Sequence, residues 1–201
     1  MRRALRADPG VRVVVTGLGQ AAARVAADEW VPQVRGVVVC GLAGGTGGLA
    51  RAGDVVVASG LWVTDGGAEH GVLGMELPGT LLGLVASVES AVDTPEARAG
   101  LRAAGAVAVE MEARSWAEVC ARLRVPLVVV RALLDTPEEP LGTAATMVRE
   151  GDRGPRAGAV LRAALHPGGW AHVVRVGRAA VMAERRAAET AVRAARALAA
   201  A

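Results

Sequence analysis

Residues 106–135 read AVAVEMEARSWAEVCARLRVPLVVVRALLD, and the order of patterns within them decides the fold. AVAVE is short, apolar and β-branched, and reads as a strand. MEARSWAEVCARLR carries Trp116, Val119 and Cys120 on one helical face, and VPLVVVRALL is again a continuous apolar run. Strand, helix and strand within 30 residues is the alternation of an α/β domain. A run as apolar as LVVV reads as a strand buried on both faces.

The same alternation extends upstream. VRVVVT (residues 11–16) predicts a strand, GLGQ a tight turn and AAARVAADEW a helix. VRGVVVC ending at Cys40 predicts a second buried strand, GLAGGTGG (41–48) a glycine-rich loop, and VVVASG (55–60) a third strand after RAGD. Residues 61–78 mix Gly, Asp, Glu and His and read as an irregular loop. Residues 81–90 fit a strand, and Thr94-Pro95 opens a short helix through Arg102. From Pro155 onward, alanine- and arginine-rich periodic sequence predicts two helices divided near His166-Pro167-Gly168-Gly169. The second runs from about Trp170 to Ala199 and packs through Val173, Val176, Ala180, Met182 and Val192. The expectation is α/β: a single domain over residues 1–201, with a mixed, mostly parallel central sheet flanked by helices.

Composition narrows the function. The chain has 201 residues, is 52% hydrophobic and has two cysteines, Cys40 and Cys120, both in apolar surroundings. That suits one well-buried domain with free thiols in a reducing compartment. No apolar run is long enough to span a bilayer, and Asp8-Pro9-Gly10 interrupts any signal-like segment, so a soluble cytoplasmic protein is expected. All 23 cationic residues are Arg, and Lys, Asn, Ile, Phe and Tyr are absent, which reflects GC-rich coding. The sequence pI near 10 therefore follows from having no Lys or Tyr to titrate. A net charge of +3, spread along a chain with 2% aromatic residues, argues against nucleic-acid binding.

Several positions carry candidate chemistry. GLGQAA (17–22) fits G-x-G-x-x-A between a strand and a helix, a pattern that brings a pyrophosphate to a helix N-terminus. Its supporting acid is absent at the end of the next strand, which closes on Cys40, so a tight turn is the better reading. Ala43, Gly44 and Gly45 lie in the glycine loop, where exposed backbone groups suit a base, ribose or phosphate. Glu110, Met111 and Glu112 stand at a strand-to-helix junction. Glutamates there favour the helix macrodipole, but a carboxylate also accepts two hydrogen bonds from neighbouring sugar hydroxyls, with Met111 an apolar floor beneath. Arg131 inside an apolar strand needs a partner. Asp135, just past that strand, reads equally as a turn residue and as a general acid. His70, His166 and His172 show no metal-ligand spacing.

Together TGLGQAAARVAA, VVVCGLAGGTGGLARAGDVVVAS and AVAVEMEARSWAEVCARLRVPLVVVRALLD resemble the nucleoside phosphorylase and nucleosidase superfamily, which includes methylthioadenosine/S-adenosylhomocysteine nucleosidase. The resemblance runs over residues 11–135. Flanking segments, DTPEARAGLRAAGA and TPEEPLGTAATMVREGDRGPRAGAVLRAALHPGG, look most like the hopanoid-associated phosphorylase branch, implicated in removing adenine from adenosylhopane. The resemblance implies cleavage of the N-glycosidic bond of an adenosine-like purine nucleoside, by water or phosphate. It implies that Glu112 binds the ribose hydroxyls beside Met111 and that Asp135 protonates the purine at N7. Arg131 matches the arginine four residues before that aspartate, and Ala43, Gly44 and Gly45 match the loop lining the pocket. It further implies no cofactor beyond phosphate as a possible co-substrate, and a homo-oligomer.

Three departures accompany the resemblance. The family's first strand and its acidic loop are missing: the chain passes from MRRALRADPG into what matches the second strand. Either the true start lies upstream or the water-positioning acid is absent. Leu134 stands where a serine usually precedes the aspartate. Leu42 replaces a small polar residue, and no arginine precedes the glycine loop in its strand, which favours hydrolysis. Base stacking falls to a Trp such as Trp62 or to aliphatic surface. Two readings of other classes stand beside this one: a non-catalytic nucleoside-binding scaffold of the same fold, and a dinucleotide-binding oxidoreductase built on GLGQAA.

Overall fold

The computed structural model describes residues 10–63, 69–92, 94–138 and 169–200. Six strands, β1 (Val37–Gly45), β2 (Val55–Val63), β3 (Glu69–His70), β4 (Leu81–Ser87), β5 (Ala106–Glu110) and β6 (Leu127–Asp135), form one sheet in the order β3-β2-β4-β5-β1-β6. A further pairing of β6 with β2 closes five of them into a barrel, leaving β3 as an appendage on β2. Four α-helices are described: α1 (Gly19–Trp30), α2 (Pro95–Ala103), α3 (Ala113–Leu123) and α4 (Gly169–Ala200). Among the described residues, no helix is long and apolar enough to cross a membrane.

The mixed sheet with flanking helices agrees with expectation, but its closure and its strand directions correct it. Three barrel joints, β1–β6, β2–β4 and β4–β5, are parallel; β1–β5 and β2–β6 are antiparallel. The sheet is therefore a closed barrel rather than a mostly parallel open one. Closure comes from Val55, Val56 and Val57 pairing with Ala132, Arg131 and Val130, all buried. Two backbone bonds extend the seam, Gly53 N–H to Leu133 O at 2.7 Å and Leu133 N–H to Asp54 O at 2.8 Å. Register shifts at Ala58/Gly60, Ala43/Gly44 and Leu84/Val85 supply the local bends that a small closed sheet requires.

Side chains along β6 sort by alternation. Leu127, Val129 and Leu133 join a cluster covered by Ala23 and Ala27 of α1 and by Trp116, Ala117 and Cys120 of α3. Val128, Val130 and Ala132 join a second cluster with Ala183, Ala187 and Ala194 of α4. The strand is buried on both faces, as its sequence predicts. Arg131 and Asp135 interrupt the first series, and the site forms around them.

Other expectations shift. VRVVVT lies in no strand; strand propensity is realised only where a neighbouring strand offers its hydrogen bonds, and Arg12 instead stacks over Trp30 at 4.5 Å. The glycine segment is not a loop at its start, since β1 continues through Gly45. Part of the expected irregular stretch is strand, with β2 reaching Val63 and β3 following. On α4, Ala183, Ala187, Ala191 and Ala194 face inward while Met182 is exposed, so alanines carry the packing. Val192 is half-buried; the side chains of Val173, Val176 and Ala180, and the helix expected from Pro155, lie outside the described residues.

Candidate active site

The site grows from one property of β1: it has no side chain at Gly41, Gly44 and Gly45. In the parallel β1–β6 ladder Gly41 faces Arg131 and Gly44 faces Asp135, with the register shift between Ala43 and Gly44. On the other side of β1, Gly44 pairs with Val109 of antiparallel β5, so β5 runs back toward Gly41 as it delivers Glu110 and Glu112. β1 is thus a narrow divider, across which β6 and the end of β5 meet.

Two arginines cross that divider. A Cβ at Gly41 would collide with the Arg131 guanidinium. Arg131 reaches over it to an ion pair with Glu110 and to Glu112 Oε2 at 3.4 Å. A Cβ at Gly44 would lie 3.0 Å from Arg98 Nη2 and 3.1 Å from Asp135 Oδ1. Arg98, on α2, donates to Asp135 Oδ2 at 2.8 Å and to the Gly45 carbonyl at 3.2 Å. At Gly45 a Cβ would meet Thr136 Cγ2 at 2.9 Å and the Asp135 carbonyl at 3.0 Å. These glycines make room for β6 and α2. Ala43, between them, is buried in the first cluster.

The two glutamates part company. Glu110 has a fully buried side chain, and its Oε2 accepts the N–H groups of Glu112 at 2.9 Å and Ala113 at 2.8 Å. It thereby caps α3, whose opening lies against a carboxylate as the macrodipole favours. Glu112 is more open, its side chain 15% exposed, and its Oε1 accepts the N–H of Gly19 at 3.2 Å where α1 begins. Burial raises the Glu112 carboxyl above the usual range; Arg131 pulls against that and Glu110 adds to it. Among the described residues, Glu110 Oε1 and Arg131 Nε are buried without a hydrogen-bond partner.

An apolar wall stands beside these charges. Trp62, Val92 and Met111 pack, partly buried, on the cluster of Ala86, Val88, Leu101, Ala106 and Val109. Sequence reasoning missed Arg98, because nothing in TPEARAG marks one arginine for an ion pair 37 residues away. It also missed Gln20, which ties α1 to β4 and α3 through Ser87 Oγ at 3.1 Å and Ser115 Oγ at 2.8 Å. Among the described residues no group of three or more His, Cys, Asp or Glu is placed to hold a metal.

Residues 70–166 match the model of the phosphorylase superfamily. Solved structures agree in fold. A 5′-methylthioadenosine/S-adenosylhomocysteine nucleosidase from Neisseria meningitidis, in complex with methylthio-immucillin-A, is 26% identical. That match covers 62% of this chain and 68% of that one, with a TM-score of 0.56. Over residues 70–166, and in its fold, the chain is similar to the phosphorylase superfamily. That likeness supports an enzyme of the nucleosidase and phosphorylase class. A putative methylthioadenosine nucleosidase from Weissella paramesenteroides is 24% identical over 63% of this chain and 67% of that one, TM-score 0.56. The futalosine hydrolase of Helicobacter pylori is 20% identical over 62% and 66%, TM-score 0.52.

Proposed function

We propose that the protein hydrolyses the N-glycosidic bond of an adenosine-like purine nucleoside, releasing the free base. The observation that carries this reading is the placement of two carboxylates on either side of a glycine strand. Arg131 crosses Gly41 to reach Glu112, Asp135 stands against Gly44, and these two glycines are three residues apart along β1, roughly 10 Å at strand rise. A nucleoside separates its sugar hydroxyls from its base edge on a similar scale. Glu112 accepts from the ribose hydroxyls, Arg131 balances its charge, and Met111 and Trp62 offer apolar surface to sugar and base. Ala43, Gly44 and Gly45 form the wall between them, and Glu110 supports the junction from below.

The chemistry then divides cleanly. The bonding pair between C1′ and the purine nitrogen leaves with the base, while Asp135 passes a proton to N7. Positive charge on the ribosyl ring is met by the Glu112 carboxylate. Water adds to C1′ and gives its surplus proton to solvent, from which Asp135 is recharged. A positioned general acid typically contributes about 10²–10⁴-fold. The scheme invokes no cofactor, with phosphate a possible co-substrate, and takes the enzyme to be a cytoplasmic homo-oligomer. The segments around residues 93–106 and 136–169 favour an adenosyl-hopanoid as substrate.

The oxidoreductase reading is disfavoured by one contact. The first N–H of α1, where a pyrophosphate would sit, already donates to Glu112. Adenine release from methylthioadenosine, S-adenosylhomocysteine and adenosylhopane, assayed with and without phosphate, tests the proposal. Release without phosphate supports hydrolysis, release only with phosphate makes the enzyme a phosphorylase, and NAD binding with no release favours the oxidoreductase.

A further inference from the structure

We infer that Arg98 is a positioning residue for this reaction, clamping one oxygen of Asp135 and presenting the other to the departing base. The inference rests on the reading of Asp135 as the group that meets the base. Its own support is geometric. All three guanidinium nitrogens of Arg98 are engaged: Nε donates to Val92 O at 3.0 Å, Nη1 to Gly45 O at 3.2 Å and Nη2 to Asp135 Oδ2 at 2.8 Å. Two of these are main-chain anchors on either side of the site, so the guanidinium plane is fixed before any ligand arrives. The third fixes the carboxyl. Both side chains are nearly buried, 11% and 8% exposed, which keeps the contact from being loosened by solvent.

The consequence for Asp135 is directional. With Oδ2 held, Oδ1 lies over Gly44, where an added Cβ would come within 3.1 Å of it. Among the described residues Oδ1 receives no hydrogen bond. It is the oxygen available to a ligand over the glycine strand, and Arg98 keeps it turned that way. The residue before the aspartate, Leu134, offers no side-chain hydrogen bond, and Arg98 supplies one to the carboxyl from a different element. Lysine could not substitute: a single ammonium lacks the planar fork that reaches three acceptors in fixed directions. When Asp135 has given up its proton, the guanidinium already stands against the carboxylate left behind.

The test is a double-mutant cycle on adenine release by the full chain, using Arg98→Met and Asp135→Asn. Loss of positioning is expected to lower kcat about 10–100-fold in Arg98→Met, with KM changed less than about threefold. In the Asp135→Asn background the same substitution is expected to change kcat by less than about twofold, because the partner it positions is gone. An equal loss in both backgrounds, or an undiminished kcat in Arg98→Met, overturns the inference. If Asp135→Asn alone keeps full activity, the reading of Asp135 fails, and this inference with it. If Asp135→Asn is inactive while Arg98→Met is fully active, only the role of Arg98 fails. Thermal melting followed by circular dichroism checks folding. Should Arg98→Met not fold, Arg98→Lys enters the same cycle, with a kcat loss expected in the Asp135 background alone.

Discussion

Gly41 of β1 lies directly across the parallel ladder from Arg131 of β6, and the hydrogen in place of a side chain is what admits the guanidinium to Glu110 and Glu112. A methyl group there has no free space, because the guanidinium it meets is held through its other terminal nitrogen in a buried ion pair. Gly41→Ala is therefore expected to destabilise the protein by about 1–3 kcal/mol, the usual cost of overpacking a filled interior. Urea unfolding measures it, and an unchanged midpoint would show that Arg131 moves aside freely.

The pair itself gives an asymmetric prediction. Arg131 is 3% exposed and the Glu110 side chain not at all. Arg131→Met leaves buried carboxylates without their cation and is expected to cost about 3–5 kcal/mol. Adding Glu110→Gln removes one of the stranded charges and should recover part of that loss. Urea unfolding of the single and double variants provides the comparison, and a double variant less stable than Arg131→Met would contradict it.

Glu112 should set the acid side of the pH profile. Burial, the largest influence, raises its carboxyl above the ordinary 4.5, against the pull of Arg131. As a sugar-hydroxyl acceptor it must be ionised, so kcat/KM should fall as pH drops through a value above 4.5. The remaining activity of Glu112→Gln should lack that limb. The stability linkage has the opposite consequence: a carboxyl raised in the folded state favours folding most below its unfolded value, and this contribution is lost as pH rises through the folded one. At pH 7 Glu112→Gln should melt higher than the parent, and a lower melting temperature would count against the assignment.

Burial pushes the thiols of Cys40 and Cys120 up to about 11 each. Thiolate is the reactive form, so neither should be alkylated appreciably by iodoacetamide at pH 8 in the folded protein, and both should be in urea. Rapid labelling of either in the native state, read by mass spectrometry, would contradict their placement.

How far the sequence announces this structure depends on whether the deciding contact is local. Thr94 caps α2 through the Ala97 N–H at 3.2 Å with Pro95 behind it, and that helix is readable in advance. β5 and β6 are likewise legible, because their apolar runs end at charged residues. Barrel closure is not, since it joins Val55–Val57 to Val130–Ala132 with no local signal. The direction of β5 against β1 is equally non-local, and it carries the chain toward the Arg131 guanidinium that Glu110 and Glu112 meet. Within the site, Glu110, Met111, Glu112, Arg131 and Asp135 stand out by type and position. Arg98 and Gly41 do not, because their roles exist only once three elements are packed together.

The central claim is that Glu112 and Asp135 together carry the cleavage of a nucleoside bond. Its most direct measurement is the rate of adenine release from S-adenosylhomocysteine by the wild-type chain and by the Glu112→Gln, Asp135→Asn double variant, followed by chromatography. Phosphate-independent release by the wild type, reduced by a factor on the order of 10³ or more in the double variant while its fold is retained, is the predicted result. Release that survives both substitutions undiminished would contradict it.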